Sequence, residues 1–97
     1  MNTYITLMKL TDQGVKNVKE APKRVEDAFK MLEKSGGKLI GFYAVLGEYD
    51  YVGIGQAQSD EAVTAFNLAL GSLGNLRTLT LRAFTLEEFA GIVKKIP

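Results

Sequence analysis

The sequence predicts a small α+β domain: one four-stranded antiparallel sheet with helices covering one face. Three observations lead there. Apolar runs of strand length and amphipathic helical stretches follow one another in the order β-α-β-β-α-β-α. The two central strand runs, 38–46 and 51–56, are separated only by Gly47-Glu48-Tyr49-Asp50, which reads as a tight hairpin. The chain has 97 residues, the size of one domain spanning 1–97, with no internal repeat, linker or low-complexity stretch. Two βαβ-type crossovers around a hairpin give the split βαβ arrangement with strand order 4-1-3-2.

Residues 3–10 read as the first strand, with Ile5 and Leu7 on one face and Tyr4, Met8 and Leu10 on the other. Apolar groups on both faces imply that both are covered. Asp12-Gln13-Gly14 breaks this strand, and 15–20 has room for a helical turn. Pro22 suits the first turn of a helix, where its missing N–H costs nothing. Val25, Ala28, Phe29 and Leu32 then form an amphipathic stripe, and Gly36-Gly37 ends the helix through a left-handed cap. Ser59 is the N-cap of the next helix, marked by Ala62, Phe66, Ala69, Leu70 and Leu73. That helix is poor in charge after Glu61, as expected of a buried or partner-facing one. The last strand spans 76–84. Its two phases are Arg77, Leu79, Leu81, Ala83 and Leu76, Thr78, Thr80, Arg82, Phe84, and the pattern leaves open which one meets the helices. Thr85-x-x-Glu88 is a capping box that opens a short final helix carrying Phe89, Ile92 and Val93.

Gly47-Glu48 has the chemistry of a two-residue type II′ turn, with Gly47 supplying a positive φ. That turn sets Leu46 opposite Tyr49, Val45 opposite Asp50, Ala44 opposite Tyr51, Tyr43 opposite Val52, Phe42 opposite Gly53 and Gly41 opposite Ile54. Wide residues then face narrow ones. The strand glycines either relieve crowding or leave room on a face for a ligand or a partner.

Gly47-x-Tyr49-Asp50 resembles the motif of the GYD domain family of small bacterial and archaeal proteins. The likeness extends over nearly the whole chain. It takes in Thr11-Asp12-Gln13-Gly14, Pro22-Lys23-Arg24, Gly41-Phe42-Tyr43, Leu70-Gly71-Ser72-Leu73-Gly74-Asn75 and the segment from Arg77 to Thr85. The resemblance implies a ferredoxin-like domain, βαββαβ(α), of the dimeric α+β barrel type. It implies no settled activity.

Composition excludes several chemistries. The chain has no Cys and no His, so there are no disulfides, no thiolate and no imidazole base. No metal site and no cofactor are expected. A net charge of +1 lacks the concentrated positive field that a phosphate backbone requires. RNA-recognition domains share the strand and helix order, but their aromatic-basic third-strand motif would fall at Glu48-Tyr49-Asp50-Tyr51, where two acids stand. No nucleic-acid partner is expected. No run approaches the ~20 apolar residues of a membrane span. Met1-Asn2-Thr3-Tyr4 passes directly into a strand pattern rather than a signal peptide, so no membrane partner and a cytoplasmic location are the expectations.

Four residues are the candidate ligand-binding set: Tyr43, Tyr49, Asp50 and Arg77. In the 4-1-3-2 sheet, Asp50 and Arg77 begin parallel strands at one end, where the first strand finishes near Lys9. A carboxylate beside an arginine anchors a polar ligand group, or ties the sheet end together. The tyrosines are either packing residues with a bonded tip or a proton-donor system with Asp50. The polar stretch 11–17, with Lys23 and Arg24, offers an anion site at a helix start or ordinary turn chemistry. Catalytic residues are unassigned.

Two functions follow. One is a homo-oligomeric small-ligand-binding or assembly module with a pocket between sheet and helices. The alternative is a cofactor-independent enzyme, a monooxygenase or isomerase acting on a small aromatic or quinone-like substrate. That second reading is an analogy at the level of the fold.

Overall fold

The computed structural model describes residues 1–97. The chain runs β1 (Asn2–Leu10), α1 (Asp12–Lys16), a 3-10 turn (Val18–Glu20), α2 (Ala21–Lys34), β2 (Lys38–Ala44), β3 (Tyr51–Ala57), α3 (Asp60–Ser72), β4 (Leu76–Ala83) and α4 (Leu86–Val93). The strands form one sheet in the order β2-β3-β1-β4, with every neighbouring pair antiparallel. Counted from the β4 edge, this is 4-1-3-2. No helix is long and apolar enough to cross a membrane.

The helix ends follow the local chemistry. Ser59 Oγ accepts from Ala62 N at 3.1 Å and caps α3. Thr85 and Glu88 form the reciprocal box that opens α4, with bonds of 3.1 and 2.9 Å. Gly36 takes φ 89°, and Gly37 N reaches back to Leu32 O at 3.0 Å, so α2 closes on a left-handed residue.

The segment after β1 differs from expectation. Asp12-Gln13-Gly14 starts α1 instead of only breaking the strand, because Thr11 Oγ1 accepts from Gly14 N at 3.1 Å and caps it. The hairpin also differs in part. Gly47 has φ 113°, and the pairs Gly41–Ile54, Phe42–Gly53, Tyr43–Val52 and Ala44–Tyr51 all form. The closed two-residue turn does not. The last rung is Val45 N to Asp50 O at 2.9 Å, and no bond joins Leu46 and Tyr49. Asp50 is held by β1 instead: its N donates to Met8 O at 2.9 Å and its carboxylate accepts from Leu10 N at 2.8 Å. That attachment opens the hairpin end into a loop, with Leu46 fully exposed at its tip. Below Gly41 the ladder shifts register at Ile40.

Register decides the faces. Tyr4, Thr6 and Met8 of β1 line the cavity beneath the helices, and they pair with Gly55, Gly53 and Tyr51 of β3 and with Arg82, Thr80 and Thr78 of β4. The helix-facing phase of β4 is therefore the more polar one. Leu79 and Leu81 lie on the open face, 48% and 45% exposed. Only 8 of 97 residues are buried, so the sheet and its helices enclose a thin core.

Candidate functional site

Between α2 and α3 the helix side of the sheet is not closed. α2 packs over β2, and α3 over β3 and β4, while the two helices make no substantial contact with each other. The gap is a cavity of about 120 Å³. Its floor is bare along β3, because Gly53 and Gly55 fall on the helix-facing phase. A methyl on Gly53 would come within 3.2 Å of Met8 Cε, so the floor is open but close to a flexible wall. Phe29, Phe42 and Tyr51 stack at one side, with ring centroids 5.5 and 5.2 Å apart along the series. Leu32, Phe66 and Leu70 close the helix side.

One charged side chain lines this apolar space, that of Arg24 on α2. Its Nη1 donates to Asn17 O at 3.1 Å and stands 3.8 Å from Glu20 Oε2. Its Nη2 is buried and has no partner. At another wall Tyr4, 4% exposed, donates to Asp60 Oδ1 at 2.5 Å. Burial, and then the bond to Asp60, raise its phenol above the ordinary value of 10.0. Arg82 stacks over the rings of Tyr4 and Phe84, and its Nη2 donates to Asn2 Oδ1 at 3.1 Å.

The opposite face carries Ile5, Leu7, Val52, Ile54, Leu79 and Leu81 side by side across three strands. Leu79 and Leu81 are exposed and the other four are half-buried. Lys9 and Arg77 lie at one end of this patch and Gln56 with Lys38 at the other. Beyond β4, α4 is not packed extensively on any other element. Phe89, Ile92 and Val93 on it stay 55%, 40% and 44% exposed.

The four residues singled out from the sequence do not converge. Tyr43 is on the open face of the β2 edge, 62% exposed, and its ring covers Gly41, with Cε2 3.4 Å from where a Cβ would stand. Arg77 is on the open face of the opposite edge strand, paired with Lys9 of β1. Asp50 bonds the backbone of Leu10 and makes no ion pair with Arg77. Tyr49 lies in the hairpin loop, where the Lys9 ammonium is 5.3 Å from its ring centroid and 3.6 Å from Glu48. Among the chain's Asp and Glu residues, no group of three or more is placed to hold a metal ion.

The polar stretch near α1 is tied to protein groups. Thr11 Oγ1 donates to Gly74 O at 2.5 Å, Thr11 N to Asn75 O at 3.0 Å, and Gln13 Nε2 to Leu73 O and Asn75 Oδ1 at 3.1 Å each. Two of the motif stretches therefore clasp each other. Lys23 is paired with Asp27 at 2.6 Å, so the basic pair on α2 is already divided. The sequence reading missed Gly55, and it set Arg24 beside the polar stretch 11–17 rather than at the cavity. The available signal was the Gly-x-Gly spacing in β3, which places two side-chain-free positions on one face.

Comparison with known proteins agrees with this architecture. A family profile described as the GYD domain matches residues 4–93. The chain is 34% identical over 95 residues to the "Glutamine synthetase and cystathionine beta-lyase binding protein" of Thermus thermophilus, covering 97% of this chain and 100% of that protein. The crystal structure of TTHA0845 from Thermus thermophilus superposes with a TM-score of 0.56 at 23% identity, covering 88% of this chain and 95% of that one. That likeness is one of fold.

Proposed function

The chain belongs to the GYD domain family, and from that premise we propose that it is a homo-oligomeric binding module that pairs with a second copy through its open sheet face. The observation that carries this reading is the open-face row Ile5, Leu7, Val52, Ile54, Leu79 and Leu81, with polar residues at both ends. An apolar centre with a polar rim is the anatomy of an interface. The flat projection of four strands, each some seven residues long, is roughly 440 Å². A standard interface takes about 800 Å² from each partner, so the sheet face needs a further contribution. The apolar side of α4 supplies it. A two-fold pair buries the same patch on both chains, so one apolar row serves both sides of the contact, and a second copy is its first occupant.

The relative from Thermus thermophilus is named for binding two enzymes. We carry over the class, a protein partner, to the surfaces that remain free in the oligomer, such as the Leu46 loop. The small-ligand function goes to the cavity under the helices, and the location that suits such a module is the cytoplasm. A cofactor-independent enzyme would use the same cavity, with the Tyr4 hydroxyl as its proton-bearing group, and turnover of a bound aromatic compound would distinguish it. Sedimentation of the wild type and Leu81→Glu at low micromolar concentration tests the assembly. The wild type is expected to sediment as a dimer or larger, and the variant to shift toward the 10.6 kDa of one chain. A wild-type monomer would refute the reading.

A further inference from the structure

We infer that the cavity between α2 and α3 is a binding site for a small monocarboxylate with an apolar, ring-sized body, its carboxylate held by Arg24 Nη2. This rests on the reading of the chain as a binding module and names the ligand class.

The size argument comes first. An apolar cavity near 150 Å³ admits benzene, and this one, at about 120 Å³, is in the same range. Its walls are aliphatic and aromatic, and the glycine floor at Gly53 and Gly55 leaves room for a flat ring once the flexible Met8 side chain, 3.2 Å from where a Cβ on Gly53 would stand, gives way. The charge argument is independent. Arg24 is the one charged residue of the lining, and its Nη2 is buried without an acceptor. A guanidinium nitrogen removed from water and left unpaired is costly, and with Nη1 taken by Asn17 O and Glu20, Nη2 offers a carboxylate oxygen a single charge-assisted bond. No acidic residue lines the cavity to oppose an anion. The ligand class is therefore one acceptor end and one compact hydrophobic end, neither long enough to be a fatty chain nor polar enough to be an amino acid.

Benzoate and toluene are the probes, with cyclohexanecarboxylate as a saturated control. Binding is followed by ¹⁵N chemical shifts, with Gly53 and Gly55 amides as site reporters and sedimentation run on the same samples. Benzoate is expected to bind one per chain, about tenfold more tightly than toluene, the difference a charge-assisted bond makes. Arg24→Met should bring benzoate to or below the affinity of toluene, since its carboxylate would then be buried without a partner, and leave toluene unchanged. Ala28→Phe, which fills the cavity from α2, should abolish both, and Gly53→Ala, which raises the floor by one methyl, should weaken both if the larger variant does not fold. Equal affinities for benzoate and toluene in the wild type would overturn the proposal. So would no binding of either probe, benzoate binding that survives the filling variants, or binding that appears only in Phe89→Glu, since the last would mean that α4 of a second copy occupies the cavity. Each result is read separately from the oligomeric state, so a monomer that binds benzoate refutes the assembly alone, and a dimer that does not refutes the ligand.

Discussion

Asp50 illustrates how one side chain fixes a sheet end. Its carboxylate accepts from Leu10 N just where β1 parts from β3, replacing the backbone partner that β3 no longer provides. Removing that acceptor strands a partly buried N–H. Asp50→Ala is expected to lose about 1–3 kcal/mol, and Asp50→Asn less, because the amide oxygen still accepts. Equal urea midpoints for the wild type and the alanine variant would show that the bond contributes nothing. Tyr4 gives a second test, with a pH sign. Its raised phenol value means that the folded state keeps the proton after the unfolded chain has released it. The contribution is therefore complete below about pH 10 and declines as pH rises through the folded value. Tyr4→Phe should flatten the alkaline limb of the stability profile, and an unchanged limb would assign it to other groups.

Among the elements, α1 and α4 are held in different ways. α1 has only five residues and persists because it is clasped to the α3–β4 loop. Gly14 lies against the Asn75 carbonyl, where a Cβ would collide with it. Gly14→Ala should therefore cost about 1–3 kcal/mol by forcing the clasp apart, measurable as a lower urea midpoint. α4 has no such clasp. At eight residues it is shorter than the ~12–15 at which an isolated helix becomes even marginal, and its capping box adds only about 1 kcal/mol. Glu88 is held below the ordinary 4.5, first by the Thr85 backbone bond. That support is present above pH 4.5 and is lost as pH falls through the lower folded value. Thr85→Ala should weaken self-association while leaving the sheet amides protected from exchange. Unchanged dimer dissociation in that variant would remove α4 from the interface.

The whole molecule is more extended than a closed chain of its length. It measures 52 × 31 × 18 Å, with a radius of gyration of 14.7 Å. A compact chain of this length has about 12.5 Å. The excess comes with an exposed α4 and a one-sided sheet. In the assembly proposed above, the fold would draw part of its burial from association and its stability would depend on concentration. Raising the protein concentration about a hundredfold should raise the melting temperature by several degrees, and a constant value would mean that the single chain is self-sufficient.

The sequence by itself determined what depends on neighbours along the chain. Apolar period placed the four strands and the two long helices, Ser59 and Thr85 placed their helix starts, and Gly36 and Gly47 fell where positive φ was needed. These are local steric and hydrogen-bonding constraints, readable from a few residues at a time. Tertiary structure decided what depends on distant pairing. The two phases of 76–84 are similar enough in the sequence that only pairing with β1 turned Leu79 and Leu81 outward. The hairpin loop opened because Asp50 found its partner on β1, forty positions away. The cavity appears in no single segment: it is the space left when α2 settles over β2, α3 settles over β3 and β4, and the glycines beneath them have no side chain to fill the gap.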